Sequence, residues 1–104
     1  MEVPVVVNKY KSEYDVYIGR GSKWGNPFPI DEKNGQTREI VIEKYKEYIY
    51  NCISNAEITI EDLMTLSGKR LGCFCKPKSC HGDVLVEIVK AIIEMSEEND
   101  KAYP

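Results

Sequence analysis

The chemistry on offer in this sequence is concentrated in four cysteines, one histidine and two short basic segments. The densest segment is Cys73-Phe74-Cys75-Lys76-Pro77-Lys78-Ser79-Cys80-His81-Gly82-Asp83. It reads as a strand end, a basic loop and a helix start. A helix start presents unpaired N–H groups and the positive end of a dipole. A thiol placed there beside Lys76 and Lys78 is expected to ionise readily. Cys80 is therefore the candidate nucleophile and His81 the candidate general acid or base. Asp83 is the candidate orienter or second base. Each also has a plainer role, since His and Asp at a helix start often serve only to hydrogen-bond it. Cys52 and Cys73 read as small buried hydrophobes.

Zinc is the competing chemistry for the same residues. Cys73, Cys75, Cys80 and His81 are all ligand types that zinc accepts. The C-x-C-x4-C-H spacing speaks against it. On one extended strand the Cβ atoms of Cys73 and Cys75 stay roughly 6 to 7 Å apart. Adjacent Cys80 and His81 also fit poorly on one tetrahedron. The expectation is a site without metal or cofactor. A redox pair of Cys75 and Cys80 is conceivable, but C-x4-C is a weaker signal than CxxC.

The second segment is Gly19-Arg20-Gly21-Ser22-Lys23-Trp24-Gly25-Asn26-Pro27. Its glycines permit turns that aim several N–H groups at one anion. Arg20 and Lys23 add charge and Ser22 a hydroxyl. Trp24 could stack on a planar base, and Asn26 could read a base edge. The competing reading is a structured loop with Trp24 plugged into the core. Neither a Walker loop nor a dinucleotide fingerprint is present.

Charge sharpens the picture. The 104 residues carry a net charge of −3. Residues 16–30 hold Arg20 and Lys23 and no acid, while 69–81 hold Lys69, Arg70, Lys76 and Lys78 and no acid. The rest of the chain is correspondingly acidic, which excludes a general nucleic-acid coat. A local pocket for one anion fits better. No apolar run approaches the roughly 18 residues of a membrane span. The N-terminal residues lack the features of a signal peptide, so a cytoplasmic protein with reduced thiols is expected.

Elements that would position these residues follow from the pattern. Eleven Ile and nine Val against four Leu favour a sheet. Strands are expected at 3–8 and 14–19, most simply as a hairpin, and at 69–75. The consecutive Val5, Val6 and Val7 suggest a strand covered on both faces. Thr37 should cap a helix ending near Asn55, with Val41, Tyr45, Tyr48, Ile49, Cys52 and Ile53 on its apolar face. Thr59 and Asp62 form a near capping box for a short helix stopped by Gly68. A last helix begins near His81. The expected fold is a single small α/β domain, 1–96, with a frayed tail at 97–104. It has two or three layers, a short mixed or partly parallel sheet and two to three helices. The 69–75 strand would lie beside the 3–8 strand at the sheet centre. The 19–29 loop would then meet the 76–83 turn.

The two segments together resemble a small family of phage and prokaryotic proteins catalogued as a domain of unknown function. The resemblance covers residues 5 to about 93. It is carried by Gly21, Lys23, Trp24, Gly25, Asn26 and Pro27, then by Cys73, Cys75, Cys80, His81, Gly82 and Asp83. It supports the choice of site and implies no particular reaction. A phage setting would favour nucleotide or nucleic-acid chemistry by association. The leading expectation is a small enzyme or binder with a pocket for a phosphate-bearing ligand, a nucleotide or a nucleic-acid end. The alternative is an interaction module without catalysis, either zinc-stabilised or metal-free.

Overall fold

The computed structural model describes residues 2–76 and 78–102, the last five by their backbone alone. Its elements run β1 (Val5–Asn8), β2 (Val16–Tyr17), α1 (Arg38–Ser54), α2 (Ile60–Met64), β3 (Arg70–Cys73) and α3 (Gly82–Ala102). A single turn of 3-10 helix at Glu32–Asn34 interrupts the loop between β2 and α1. Helix α3 continues into the segment expected to be a tail, and residues 103–104 lie outside the description.

The sheet is ordered β1-β3-β2 and is parallel throughout. The 69–75 strand does take the centre beside β1. The expected hairpin does not form, because β3 lies between β1 and β2. Two hydrogen-bonded devices explain this, one local and one long-range. After β1 the chain turns on Asn8, whose carbonyl accepts the N–H groups of Lys11 and Ser12. Ahead of β2, Asp15 accepts the backbone N–H of Arg70 at 2.8 Å and its guanidinium at 3.2 Å. That fork holds the Asp15 carboxyl below its usual range, through the Arg70 side chain first and its backbone second. It pins the start of β2 to the start of β3, so the two strands run the same way.

Helices cover one face of this sheet. Leu71 and Cys73 point into the core and are 0% and 1% exposed. With the strand period of two, Gly72 turns to the other face, where Tyr14 lies over it. Val5 is 53% exposed, so β1 is not covered on both sides as its three valines suggest. The domain is a two-layer α/β arrangement. Gly82 lets the start of α3 approach the sheet closely, since a Cβ there would lie 2.6 Å from Ile18 and 2.8 Å from Val6.

The helix caps form as the sequence predicts. The N–H of Ile40 donates to Thr37 Oγ1, and Thr59 and Asp62 make a reciprocal capping box. Val41, Tyr45, Ile49 and Cys52 are the buried face of α1. Its far end closes on Ala56 at φ 61°, the one left-handed non-glycine residue described. Glu57 N–H donates to Cys52 O, and Ala56 N–H to Ile53 O. This is the helix stop that normally carries glycine. Ala56→Gly should therefore stabilise the protein by about 0.5 to 1 kcal/mol, relieving the Cβ at a left-handed position. Urea denaturation would show a higher midpoint at unchanged slope.

Candidate functional site

A cleft of about 360 Å³ opens where the loop after β2 meets the turn between β3 and α3. The two segments singled out by their residues thus share one site. Cys73, Cys75, Cys80 and His81 line its base, and Arg20 and Arg38 stand at its edge. Phe28, Ile30, Ile42 and the half-exposed Phe74 supply apolar walls.

The loop is built by several of the residues expected to read a ligand. Ser22 N–H and Ser22 Oγ both donate to Gly19 O, at 3.1 and 2.7 Å. Gly25 N–H donates to Ser22 O at 3.1 Å. Asn26 accepts from Phe28 N–H at 2.9 Å and donates to Val41 O at 3.2 Å, tying the loop to α1. Trp24 is only 6% exposed and sits in the core, with its carbonyl accepting the Tyr45 hydroxyl at 2.7 Å. It is not placed to stack on a base. Burial pushes that Tyr45 hydroxyl far above its ordinary range, so it stays a donor.

The basic residues also distribute differently from the expected convergence. Lys23 pairs with Asp62 at 2.9 Å, away from the cleft, and Gly21 and Ser22 line a neighbouring shallow depression with it. Arg70 is held by Asp15 at 3.2 Å. Lys76 pairs with Asp83 at 2.9 Å, which raises the lysine's pKa. Lys78 is exposed and does not line the cleft. Acids outside the acid-free windows thus pair with three of their cations, two of them from far along the chain. Arg20 remains at the cleft, joined by Arg38, which the sequence reading missed. Arg38 is the first residue of α1, and its Nη1 reaches across to Ser79 O at 3.0 Å. Its position just after the Thr37 cap was the available signal. Neither Arg20 nor Arg38 joins an ion pair among the described residues.

The base of the cleft is a small polar cluster in an apolar setting. The sulfurs of Cys73 and Cys80 lie 3.2 Å apart, and both residues are at most 2% exposed. Cys80 Sγ also accepts the Gly82 N–H at 3.2 Å, and Cys80 N–H donates to Asp83 at 3.1 Å. Asp83 is therefore occupied by Lys76 and the helix start. The pair shares its protons unevenly. Hydrogen bonding from Cys80 lowers Cys73 to about 5, against burial, with help from the backbone N–H groups of Cys75 and Lys76. Its thiolate neighbour and burial push Cys80 up. Cys73 is the member of the pair that is lowered, and Cys80 the member that is raised. Cys73 gathers three donors, whereas Cys80 receives one from the helix.

His81 is 9% exposed and packs its ring edge-on against Tyr45, centroids 4.9 Å apart. Its Nε2 lies 2.6 Å from Ile18 O. A carbonyl can only accept, so the proton is on Nε2 and Nδ1 is the nitrogen left for other partners. Among the described residues, no group of three or more His, Cys, Asp or Glu side chains is arranged to hold a metal ion. No helix among them is long and apolar enough to cross a membrane.

Comparison with known proteins places this architecture. Over 89 residues the chain is 47% identical to an uncharacterized 12.4 kDa protein in the nrdA-td intergenic region of Enterobacteria phage T4. The alignment covers 86% of this chain and 80% of the phage protein. No solved structure matches the chain. A family model, the domain of unknown function DUF4326, matches residues 6–91, which span both cleft-forming segments and every strand but the first residue of β1. The chain belongs to the DUF4326 family.

Proposed function

We propose that the cleft binds a small ligand with a flat apolar part and an anionic group, with nucleotides as the best-fitting class. One observation carries this reading: Arg20 and Arg38, neither of them ion-paired among the described residues, stand beside the apolar walls of a single cleft. Its volume of about 360 Å³ lies in the range of small-molecule sites. Guanidinium groups grip phosphate in a planar, two-pronged manner, and both cations retain free donors for it. Phe74, 54% exposed at the cleft, offers the ring face that Trp24 does not. The groups this reading offers for chemistry are the paired thiols of Cys73 and Cys80 and the ring of His81, held by Ile18 O.

Calorimetric titration with nucleoside phosphates, ribose phosphate and inorganic phosphate tests the reading. A charged hydrogen bond contributes roughly 1.5 to 3 kcal/mol. Arg20→Ala and Arg38→Ala should each weaken nucleotide binding about tenfold or more. Phe74→Ala should weaken nucleotides while leaving inorganic phosphate unchanged. If no phosphate ester binds, or if both arginine variants bind like the parent, the proposal fails.

A further inference from the structure

Cys73 and Cys80 are placed as reaction partners rather than as separate core residues. Their sulfurs are 3.2 Å apart, and a disulfide forms at about 2.05 Å. The remaining approach is little more than an ångström. Both belong to the cleft wall although each is nearly sealed. Cys52 supplies the contrast within the same chain. It is buried on α1, outside the cleft, and burial raises its pKa.

We propose that Cys73 and Cys80 form a dithiol site that reduces a small hydroperoxide and closes to an intramolecular disulfide. The choice of oxidant follows from access. Both sulfurs line the cleft at exposures of 1% and 2%, too little for a bulky disulfide to engage, which leaves a small hydroperoxide as the fitting oxidant. Cys75, half-buried in the same cleft, is the thiol a bulky reagent reaches first. The inference uses the cleft but not the nucleotide reading, and it stands or falls separately.

The chemistry balances in two steps. The Cys73 thiolate attacks one peroxide oxygen. The O–O bond breaks, an S–O bond forms, and the departing hydroxide takes a proton to leave as water. Cys80 then attacks the Cys73 sulfur and gives its proton to the departing sulfenic oxygen. The S–O bond breaks, the S–S bond forms, and the sulfenic oxygen leaves as a second water. Two thiols supply two electrons to one peroxide. Cys80 is already the hydrogen-bond neighbour of Cys73, so no rearrangement of the chain precedes the second step. The hydrogen bonds from Cys80 and from the backbone N–H groups of Cys75 and Lys76 favour the thiolate of Cys73, the attacking form, at neutral pH.

The test uses the whole reduced chain, freed of reductant and exposed separately to equimolar hydrogen peroxide and to oxidised glutathione. After quenching with an alkylating reagent, intact mass and peptide mapping locate each sulfur. The expected result with peroxide is a product lighter by two hydrogens, with Cys73 linked to Cys80 and with Cys52 and Cys75 alkylated. Glutathione should instead add at Cys75. Cys80→Ser should stop at a sulfenic acid on Cys73, trapped by a dione probe. A native chain that leaves Cys73 and Cys80 free while peroxide oxidises Cys75 overturns the proposal. So does a bond that contains Cys75. Both are read on the unmutated protein, so an unstable variant does not obscure the answer.

Discussion

Trp24→Ala should lower stability by about 3 to 5 kcal/mol. For a domain of this size that shifts the melting temperature by something on the order of 15 to 30 °C. The reason is its place. Trp24 lies in a loop rich in glycine and proline, yet it is 6% exposed and belongs to the same buried cluster as Tyr45 and Leu63. Its backbone carbonyl is fastened by the Tyr45 hydroxyl at 2.7 Å. The alanine variant leaves a cavity beneath the loop and loosens the anchor that holds Arg20 at the cleft. A melting temperature within a few degrees of the parent would show that Trp24 is a surface residue after all. Any loss of ligand binding in this variant should track its loss of folding, because the indole is not placed to touch a ligand.

Gly25→Ala should cost about 1 to 3 kcal/mol, a large effect for one methyl group. A Cβ at this position would stand 2.7 Å from the backbone oxygen of Gly19 and 3.3 Å from Arg20 Cα. Backbone atoms cannot step aside as a side-chain end can, so the turn from Gly19 to Gly25 must open. Gly19 and Arg20 line the cleft, and the variant should therefore weaken phosphate-ester binding even where the folded fraction is complete. Gly21→Ala provides the comparison. It meets no atom within 4 Å and is strained only by its φ of 90°. A Gly25→Ala protein with parental stability and binding would remove the close-packed turn from this account.

Local signals were legible and long-range ones were not. Thr37, Thr59 and Asp62 announce their helices because a cap is decided within four residues. The location of the cleft was legible too, since both chemically unusual segments follow strands, and neighbouring parallel strands end at the same edge. What escaped depends on partners remote in the chain. Lys23 reads as a free cation until Asp62 is beside it, and Asp15 reads only as part of the 14–19 strand until Arg70 arrives. Trp24 has the same letters around it whether it faces a ligand or the core. The fact that decides is Tyr45, supplied by another element. The Cys73–Cys80 contact was missed for a related reason. Cys73 looks like strand core, and only the bend after β3 brings its sulfur under the start of α3.

The order β1-β3-β2 also bears on how the molecule comes into being. Every ladder in the sheet includes β3, the last strand to leave the ribosome. Val5 waits for Arg70, 65 positions later, and Val16 waits for Leu71. Contacts that distant carry a loop-closure cost that nothing local offsets, which slows the search for the native state. A nascent chain can wind α1 early, but its first two strands stay unpaired until residues 70–73 have been made. Synthesis that stalls before residue 70 leaves two valine-bearing edges open to any neighbouring chain. The strand that completes the sheet also delivers Cys73, so the cleft and the framework around it come into existence in a single late event.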